Sequence, residues 1–141
     1  MKPLVVYESR SGHTRRSAEA IAEQAKAQEA DAVVRPVGEV SAEDVASADA
    51  VAVGTWVKGF ILFGMKPAGA EGVASRLPAL GGKPTGVFCS YAFNPAGAPA
   101  ALADRLRANG ARIVATRAFH RNRPTSGAAE FARQILGSVP S

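Results

Sequence analysis

Cysteine is almost missing from this sequence, because its 141 residues include only one, Cys89. A single thiol cannot form an internal disulfide, and it cannot supply the cluster of thiolates that zinc or iron–sulfur sites require. The two histidines, His13 and His120, have no second ligand at a spacing typical of metal sites. We therefore expect neither a disulfide framework nor a bound metal.

Long apolar runs are also lacking. No stretch approaches the about 18 to 20 apolar residues of a membrane helix, so no membrane span is expected. The apolar run at residues 4–7 ends at Glu8, whereas the apolar region of a secretory signal has about 7 to 15 residues. The expected location is therefore the cytoplasm.

Acidic residues are scarce in the last part of the chain. Residues 104–141 contain seven arginines and two acids, and they account for the whole net charge of +5. Such an excess is typical either of a polyanion-binding surface or of solvated helix faces. The interleaved aromatic residues that stack on bases are missing there, so we expect no nucleic-acid partner.

Short apolar runs alternate with amphipathic stretches along the sequence. The runs predict five strands, at residues 4–7, 32–37, 50–53, 85–89 and 112–119. The amphipathic stretches predict helices at residues 14–27, 41–45, 66–77, 98–108 and 128–136. This alternation predicts a single α/β domain over residues 1–141, with a parallel sheet covered by helices on both faces. In such sheets ligands bind beyond the carboxyl ends of the strands, which here are the loops at residues 8–14, 54–65, 90–97 and 120–127.

The loop after the first strand is rich in groups that bind phosphate. It reads Ser9-Arg10-Ser11-Gly12-His13-Thr14 and leads directly into a helix. Hydroxyls, a glycine and free backbone N–H groups at a helix N-terminus form a concave site for an anion. The alternative is a simple helix cap, provided by Thr14 or Ser11. No P-loop or G-x-G-x-x-G sequence is present in its place.

This pattern resembles the FMN phosphate loop of flavodoxins, with Ser9, Ser11, Gly12 and Thr14 at the matching positions. His13 occupies the place of the usual asparagine. The resemblance extends along essentially the whole chain and implies a three-layer, doubly wound, five-stranded parallel sheet with strand order 2-1-3-4-5. It also implies noncovalent FMN, with the phosphate held by the loop from Ser9 to Thr14, in which we include Arg10 and His13.

In flavodoxin-like proteins the loops after the third and fourth strands flank the isoalloxazine ring. The resemblance implies that the first of these loops contributes Thr55, Trp56, Val57 and Gly59, and that the second contributes Ser90, Tyr91 and Phe93. Trp56 and Tyr91 have the flat surfaces that stack on a flavin. The alternative is that these aromatic residues are packing or interface residues. The apolar run at residues 60–63 either closes over the cofactor or forms a homodimer contact.

The chain departs from ordinary flavodoxins in its charge, because those are acidic around the ring. Residues 50–103 contain a single acid, Glu71, against four basic residues, which include Lys58 and Lys66. Repulsion of the reduced flavin should therefore be weak. We expect a less negative second reduction step, and a partner that is acidic or docks through apolar contacts.

The sequence therefore predicts an FMN-binding electron-transfer protein with an atypically basic surface and no catalytic residue, served by a redox partner protein. One alternative is an FMN-dependent oxidoreductase acting on a quinone or on protoporphyrinogen. Another is a binding or regulatory module that has lost FMN. We expect Cys89 to be a small core residue. We expect the basic segment His120, Arg121 and Arg123 to form a surface loop or to contact an anion.

Overall fold

The computed structural model describes residues 1–8, 12–57, 67–68, 77–92 and 97–139. Its sheet contains β1 (Pro3–Tyr7), β2 (Val33–Pro36), β3 (Ala50–Val57), β4 (Pro67–Ala68), β5 (Pro84–Tyr91) and β6 (Arg112–His120). Five of these strands are parallel and lie in the order β2-β1-β3-β5-β6, while the two-residue β4 pairs antiparallel with the end of β3. Counted along the chain without β4, the order is 2-1-3-4-5, which confirms the predicted topology.

The described helices lie on both faces of the sheet. They are α1 (His13–Ala27), α2 (Ala42–Ser47), α3 (Ala98–Ala108) and α4 (Ala128–Leu136), and a 3₁₀ turn spans Val37–Glu39. The predicted cap at Ser41 is confirmed as a reciprocal capping box. Asp44 N donates to Ser41 Oγ at 3.1 Å, and Ser41 N donates to Asp44 Oδ2 at 2.9 Å. The Ser41 N–H also lowers the pKa of the Asp44 carboxyl below its ordinary value.

Two apolar cores sandwich the sheet, because successive side chains of a buried strand point to opposite faces. On one face, Phe88, Phe119 and Phe131 pack edge to face with centroids 6.0 to 6.2 Å apart, against α1 and α4. On the other face, Val87 packs against Leu102 and Leu106 of α3. These two cores account for the continuous apolar runs in the sequence and for the three-layer architecture.

The central strands are longer than the sequence predicted. Gly54 was expected to end the third strand, but β3 continues through Val57, and β5 continues through Tyr91. The parallel ladder explains both extensions, because Trp56 pairs with Ser90 and Tyr91 pairs with His120. Thr55, Trp56, Val57, Ser90 and Tyr91 are therefore strand residues rather than loop residues.

The helix predicted for residues 66–77 is wrong at its start. Pro67 and Ala68 form β4 opposite Val57 and Trp56, and an edge strand tolerates the missing N–H of proline. Residues 66 and 69–76 lie outside the described residues. Proline was predicted correctly at Pro36, which lies in β2 at the edge of the sheet.

None of the described helices combines the length and the apolar character needed to cross a membrane.

Candidate functional site

The order of the strands reverses between β1 and β3, and this defines a crevice at the carboxyl edge of the sheet. From β1 the chain continues to β2 on one side, whereas β3 is followed by strands on the other side. Tyr7 pairs with Gly54 in the ladder, and Glu8 N donates to Gly54 O at 2.9 Å. The two strand ends are thus joined at the position where doubly wound sheets bind ligands. We call this position the β1–β3 crevice.

The N-terminus of α1 opens at this edge. Gly12 precedes the helix with φ 91° and ψ −9°, and Arg16 N donates to Gly12 O at 3.0 Å. A Cβ at Gly12 would have no neighbour within 4 Å, so glycine is favoured there by its left-handed backbone and not by lack of space. The first turn of α1 contains no acid. Its N–H groups therefore present the positive end of the helix dipole without a side-chain carboxylate in that turn.

Two residues of the predicted phosphate loop follow Gly12. Thr14 is buried, with 1% of its surface exposed, and His13 is half-buried. His13 Nδ1 is inaccessible to solvent and has no hydrogen-bond partner within the described part of the chain. Leaving a buried polar atom unpaired costs about 1 to 3 kcal/mol, so this nitrogen is suited to a ligand. Ser9, Arg10 and Ser11 lie outside the described residues.

The ends of β3 and β5 place Trp56 directly opposite Ser90. Ser90 is buried, with 4% of its surface exposed, and its Oγ has no hydrogen-bond partner among the residues that the structure describes. Trp56 is half-buried. By alternation from Phe88, the Ser90 side chain lies on the α1 face of the sheet. A second unpaired polar atom thus lies on the same side of the carboxyl edge as His13.

Tyr91 lies on the opposite face of the sheet from Ser90, where it packs against the α3 core. Its ring meets the ring of His120 edge to face, with centroids 5.2 Å apart. Trp56 and Tyr91 therefore reach the carboxyl edge from opposite faces, and a planar group held by both would lie beyond the strand ends. Gly59, Phe93 and the apolar run at residues 60–63 lie outside the described residues, as does the side chain of Val57.

Cys89 pairs with Thr55 in the ladder and has none of its surface exposed. Burial raises the pKa of its thiol to about 12. A thiol whose pKa lies so far above neutral pH stays protonated and is not a nucleophile. Cys89 is a core residue, as predicted. No group of three potential metal ligands occurs within the described ranges.

A groove that was not predicted from the sequence runs beside the N-terminus of α1 on the β2 side. Two cavities, of about 500 and about 480 Å³, share the lining residues Tyr7, Arg15, Pro36 and Glu39. The groove lies between α1 and the 3₁₀ turn and borders the β1–β3 crevice, because Glu8 and Gly12 also line the second cavity. The four shared lining residues come from four separate elements and show no common sequence pattern, so the groove could be found only from the fold.

Comparison with models of known protein families shows to which family this chain belongs. The sequence model described as the flavodoxin domain matches residues 4–120. The chain belongs to the flavodoxin family. FMN is the cofactor of this family, and its members are electron-transfer proteins. No curated protein sequence matches the chain.

Solved flavodoxin structures share the fold at low sequence identity. The two-electron reduced flavodoxin of Megasphaera elsdenii has a TM-score of 0.75 and 22% identity, over 96% of this chain and 99% of that one. The flavodoxin of Streptococcus pneumoniae TIGR4 has a TM-score of 0.75 and 21% identity, over 99% of this chain and 100% of that one. The rubredoxin oxygen:oxidoreductase of Desulfovibrio gigas has a TM-score of 0.71 and 20% identity, over 97% of this chain and 35% of that one. These likenesses establish the fold.

Proposed function

We propose that this chain binds FMN noncovalently at the β1–β3 crevice and carries electrons to and from an acidic or apolar-docking partner in the cytoplasm. The observation that carries the proposal is a pair of buried polar atoms, His13 Nδ1 and Ser90 Oγ, that lack partners among the described residues. Both lie at the carboxyl edge of the sheet, where α1 begins and β5 ends. Their chemistry suits the phosphate or the polar ring edge of FMN.

The phosphate is assigned to the loop that enters α1. Gly12 gives the backbone the left-handed turn that leaves the following N–H groups directed at an anion. His13 adds a ring nitrogen, and Thr14 adds a hydroxyl. Ser9, Arg10 and Ser11 complete the proposed set from sequence alone. A bound dianion would also offset the unfavourable position of Arg15 and Arg16 in the first helical turn, which costs about 0.3 to 1 kcal/mol per residue.

The isoalloxazine ring is assigned to the ends of β3 and β5. Trp56 and Tyr91 flank it from the two faces of the sheet, and Thr55 and Ser90 line its edge. Val57, Gly59 and Phe93 are added to this set from the sequence alone. Bound FMN supplies the redox chemistry, since it accepts and donates one or two electrons. The residues of this chain bind it, orient it and exclude water, and none is assigned as an acid or base.

The basic character of the surface distinguishes this chain from acidic flavodoxins in our proposal. Residues 77–127 contain seven lysines and arginines and one acid, Asp104. The carboxylate of Asp104 lies 2.8 Å from Arg107 Nη1, so that acid is already paired. Of these basic residues, Arg121 and Arg123 follow β6 at the carboxyl edge of the sheet. Positive charge at this edge favours the reduced anion of the flavin and attracts acidic partners.

A second candidate function is an FMN-dependent oxidoreductase that acts on a quinone or protoporphyrinogen. The apolar run at residues 60–63 favours it, because such a run in a ligand-side segment suits a hydrophobic substrate or a homodimer contact. Turnover of a soluble quinone by the FMN-loaded protein with NADH or NADPH separates the two functions. A carrier gives a rate close to that of free FMN, whereas an oxidoreductase gives saturable turnover.

Retention of flavin after gel filtration tests the proposal that FMN is bound. The protein is mixed with excess FMN, or in parallel with excess riboflavin, and then desalted. We expect about one FMN and little riboflavin per chain, because riboflavin lacks the phosphate. A chain that retains neither flavin would instead support a module that has lost FMN.

A further inference from the structure

We propose that an acidic redox protein docks on the loop at residues 121–126, together with Tyr91 and His120 beside it. We call residues 121–126 the arginine loop. It follows β6 at the carboxyl edge of the sheet and contains Arg121 and Arg123, both exposed. This inference rests on the proposed function, because the partner it assigns is the one that would exchange electrons with FMN.

Hydrogen bonds fix the arginine loop between two elements of the proposed site. Arg121 N donates to Tyr91 O at 2.8 Å, which joins the loop to the end of β5. On the other side, the buried Ser17 Oγ of α1 donates to Pro124 O at 2.7 Å. The loop therefore lies across the edge from the strand that bears Tyr91 to the helix whose N-terminus is assigned to the phosphate.

The turn inside the loop is fixed as well. Arg123 N donates to His120 O at 2.8 Å, and Asn122 N donates to His120 Nδ1 at 3.1 Å. His120 is held in turn by its edge-to-face contact with Tyr91. A preorganised loop loses little conformational entropy when a partner binds, which suits a docking surface.

The charge of the arginine loop is not neutralised within the described part of the chain. Neither Arg121 nor Arg123 forms an ion pair there, and residues 112–127 contain no acid. Tyrosine and arginine are enriched in protein interfaces, and here the backbone hydrogen bond from Arg121 N to Tyr91 O joins the two residues. Complementary charge at such a rim raises the association rate of an acidic protein.

A small anion fits this surface less well than a protein does. The two guanidinium groups are exposed, so a free phosphate there would stay hydrated and gain little. Carboxylates spread over a protein face could pair with both arginines at once while an apolar contact covers Tyr91. The geometry therefore favours a protein with an acidic face.

The test measures binding of an acidic plant-type [2Fe–2S] ferredoxin as a probe, with a basic c-type cytochrome as its counterpart. Affinity is determined by calorimetry or by NMR titration at low and at moderate salt, with and without FMN. The variant is Arg121→Gln/Arg123→Gln. The matched control is Arg105→Gln/Arg133→Gln, which removes two exposed arginines from the last turns of α3 and α4, at the opposite edge of the sheet.

We expect the loop variant to weaken ferredoxin binding about tenfold at low salt, and the control variant to change it less than about twofold. The cytochrome should bind weakly to all three proteins. Equal losses in the two variants, salt-independent binding, or preference for the cytochrome would overturn the proposal. So would displacement of the ferredoxin by submillimolar NADPH, which would make the loop a small-anion site.

Failure of this proposal is distinguishable from failure of the proposed function. Ferredoxin binding is measured without electron transfer, and FMN binding of the same three proteins is measured by flavin fluorescence. Loss of FMN binding in every protein contradicts the proposed function alone. Loss of FMN affinity in the loop variant alone would place the arginine loop in the cofactor site, which contradicts its assignment to a partner.

Discussion

Ser90 lies directly opposite Trp56 where β5 pairs with β3, and its buried hydroxyl has no hydrogen-bond partner among the described residues. Another hydroxyl of the same strand behaves differently. Thr85 is also buried, but its Oγ1 donates to Lys83 O at 2.9 Å. The paired hydroxyl of Thr85 thus stabilises the fold, whereas the unpaired hydroxyl of Ser90 is suited to a ligand.

Ser90→Ala should weaken FMN binding about two- to tenfold without reducing the stability of the flavin-free protein. The variant removes a buried, unpaired hydroxyl, whose loss costs the fold nothing, while the cofactor loses a hydrogen bond of about 0.5 to 1.5 kcal/mol. Fluorescence titration with FMN and urea unfolding measure the two effects.

Thr85→Val is the matched control for Ser90→Ala. It removes a paired hydroxyl and should cost about 1 kcal/mol of stability, with little effect on FMN affinity. Destabilisation by Ser90→Ala with unchanged FMN affinity would show that Ser90 belongs to the fold and not to the site.

Gly54→Ala should destabilise the protein by about 1 to 3 kcal/mol. A Cβ at this position would overlap the ring of Phe88, and Phe88 is fixed by its contacts with Phe119 and Phe131. Overpacking a closed core carries a cost of this size. Gly97→Ser is the control, since a Cβ there meets nothing within 4 Å and serine is a favoured N-cap for α3. Equal urea midpoints for the two variants would contradict this account of the core.

Local patterns predicted much of this fold. The buried face of α1, the Ser41 cap and the edge position of Pro36 follow from spacing and from backbone chemistry that act over a few residues. The ends of β3 and β5 did not follow, because pairing with a distant strand overrides the tendency of Gly54 to end a strand. Pro67 was misassigned for the same reason, since its conformation is set by β3.

The candidate site shows the same limit. The phosphate loop could be predicted because its hydroxyls and glycine are contiguous in the sequence. That Ser90 Oγ and His13 Nδ1 lack partners could not be predicted, because the satisfaction of a buried polar atom depends on neighbours far away in the chain. The contact between Tyr91 and His120 likewise depends on the β5–β6 register.

The Cys89 thiol should not react with a disulfide reagent at pH 8 in the folded protein, and it should react fully after unfolding. Burial raises its pKa to about 12, against 9.0 for an ordinary thiol, so the thiolate is scarce at this pH. Absorbance of the released chromophore measures the reaction. Fast, stoichiometric labelling of the native protein would contradict the assignment of Cys89 to the core.

The same shift predicts a dependence of stability on alkaline pH. Because the folded pKa is raised, the contribution of Cys89 is fully present below about pH 9 and is lost as the pH rises toward 12. Between pH 8 and 10 the wild type should lose about 1 kcal/mol more than Cys89→Val, as measured by urea unfolding.

The second reduction step of the FMN-loaded protein should be less negative than in acidic flavodoxins. Few acids surround the proposed site in the sequence, so the reduced flavin meets little repulsion. Lys58→Glu should make the second midpoint more negative in a potentiometric titration. Lys26→Glu, in the last turn of α1 and so at the opposite edge, should change it less. A wild-type midpoint in the very low range of acidic flavodoxins would contradict this prediction.

The most direct test of the account is a titration of FMN into the flavin-free protein, followed by flavin fluorescence, with riboflavin in parallel. Stacking on Trp56 and Tyr91 should quench the fluorescence of FMN strongly, and riboflavin should bind far more weakly because it lacks the phosphate. Strong quenching by FMN alone is the predicted result. Fluorescence that stays unchanged for both flavins would contradict the central claim that this flavodoxin-family chain is an FMN carrier.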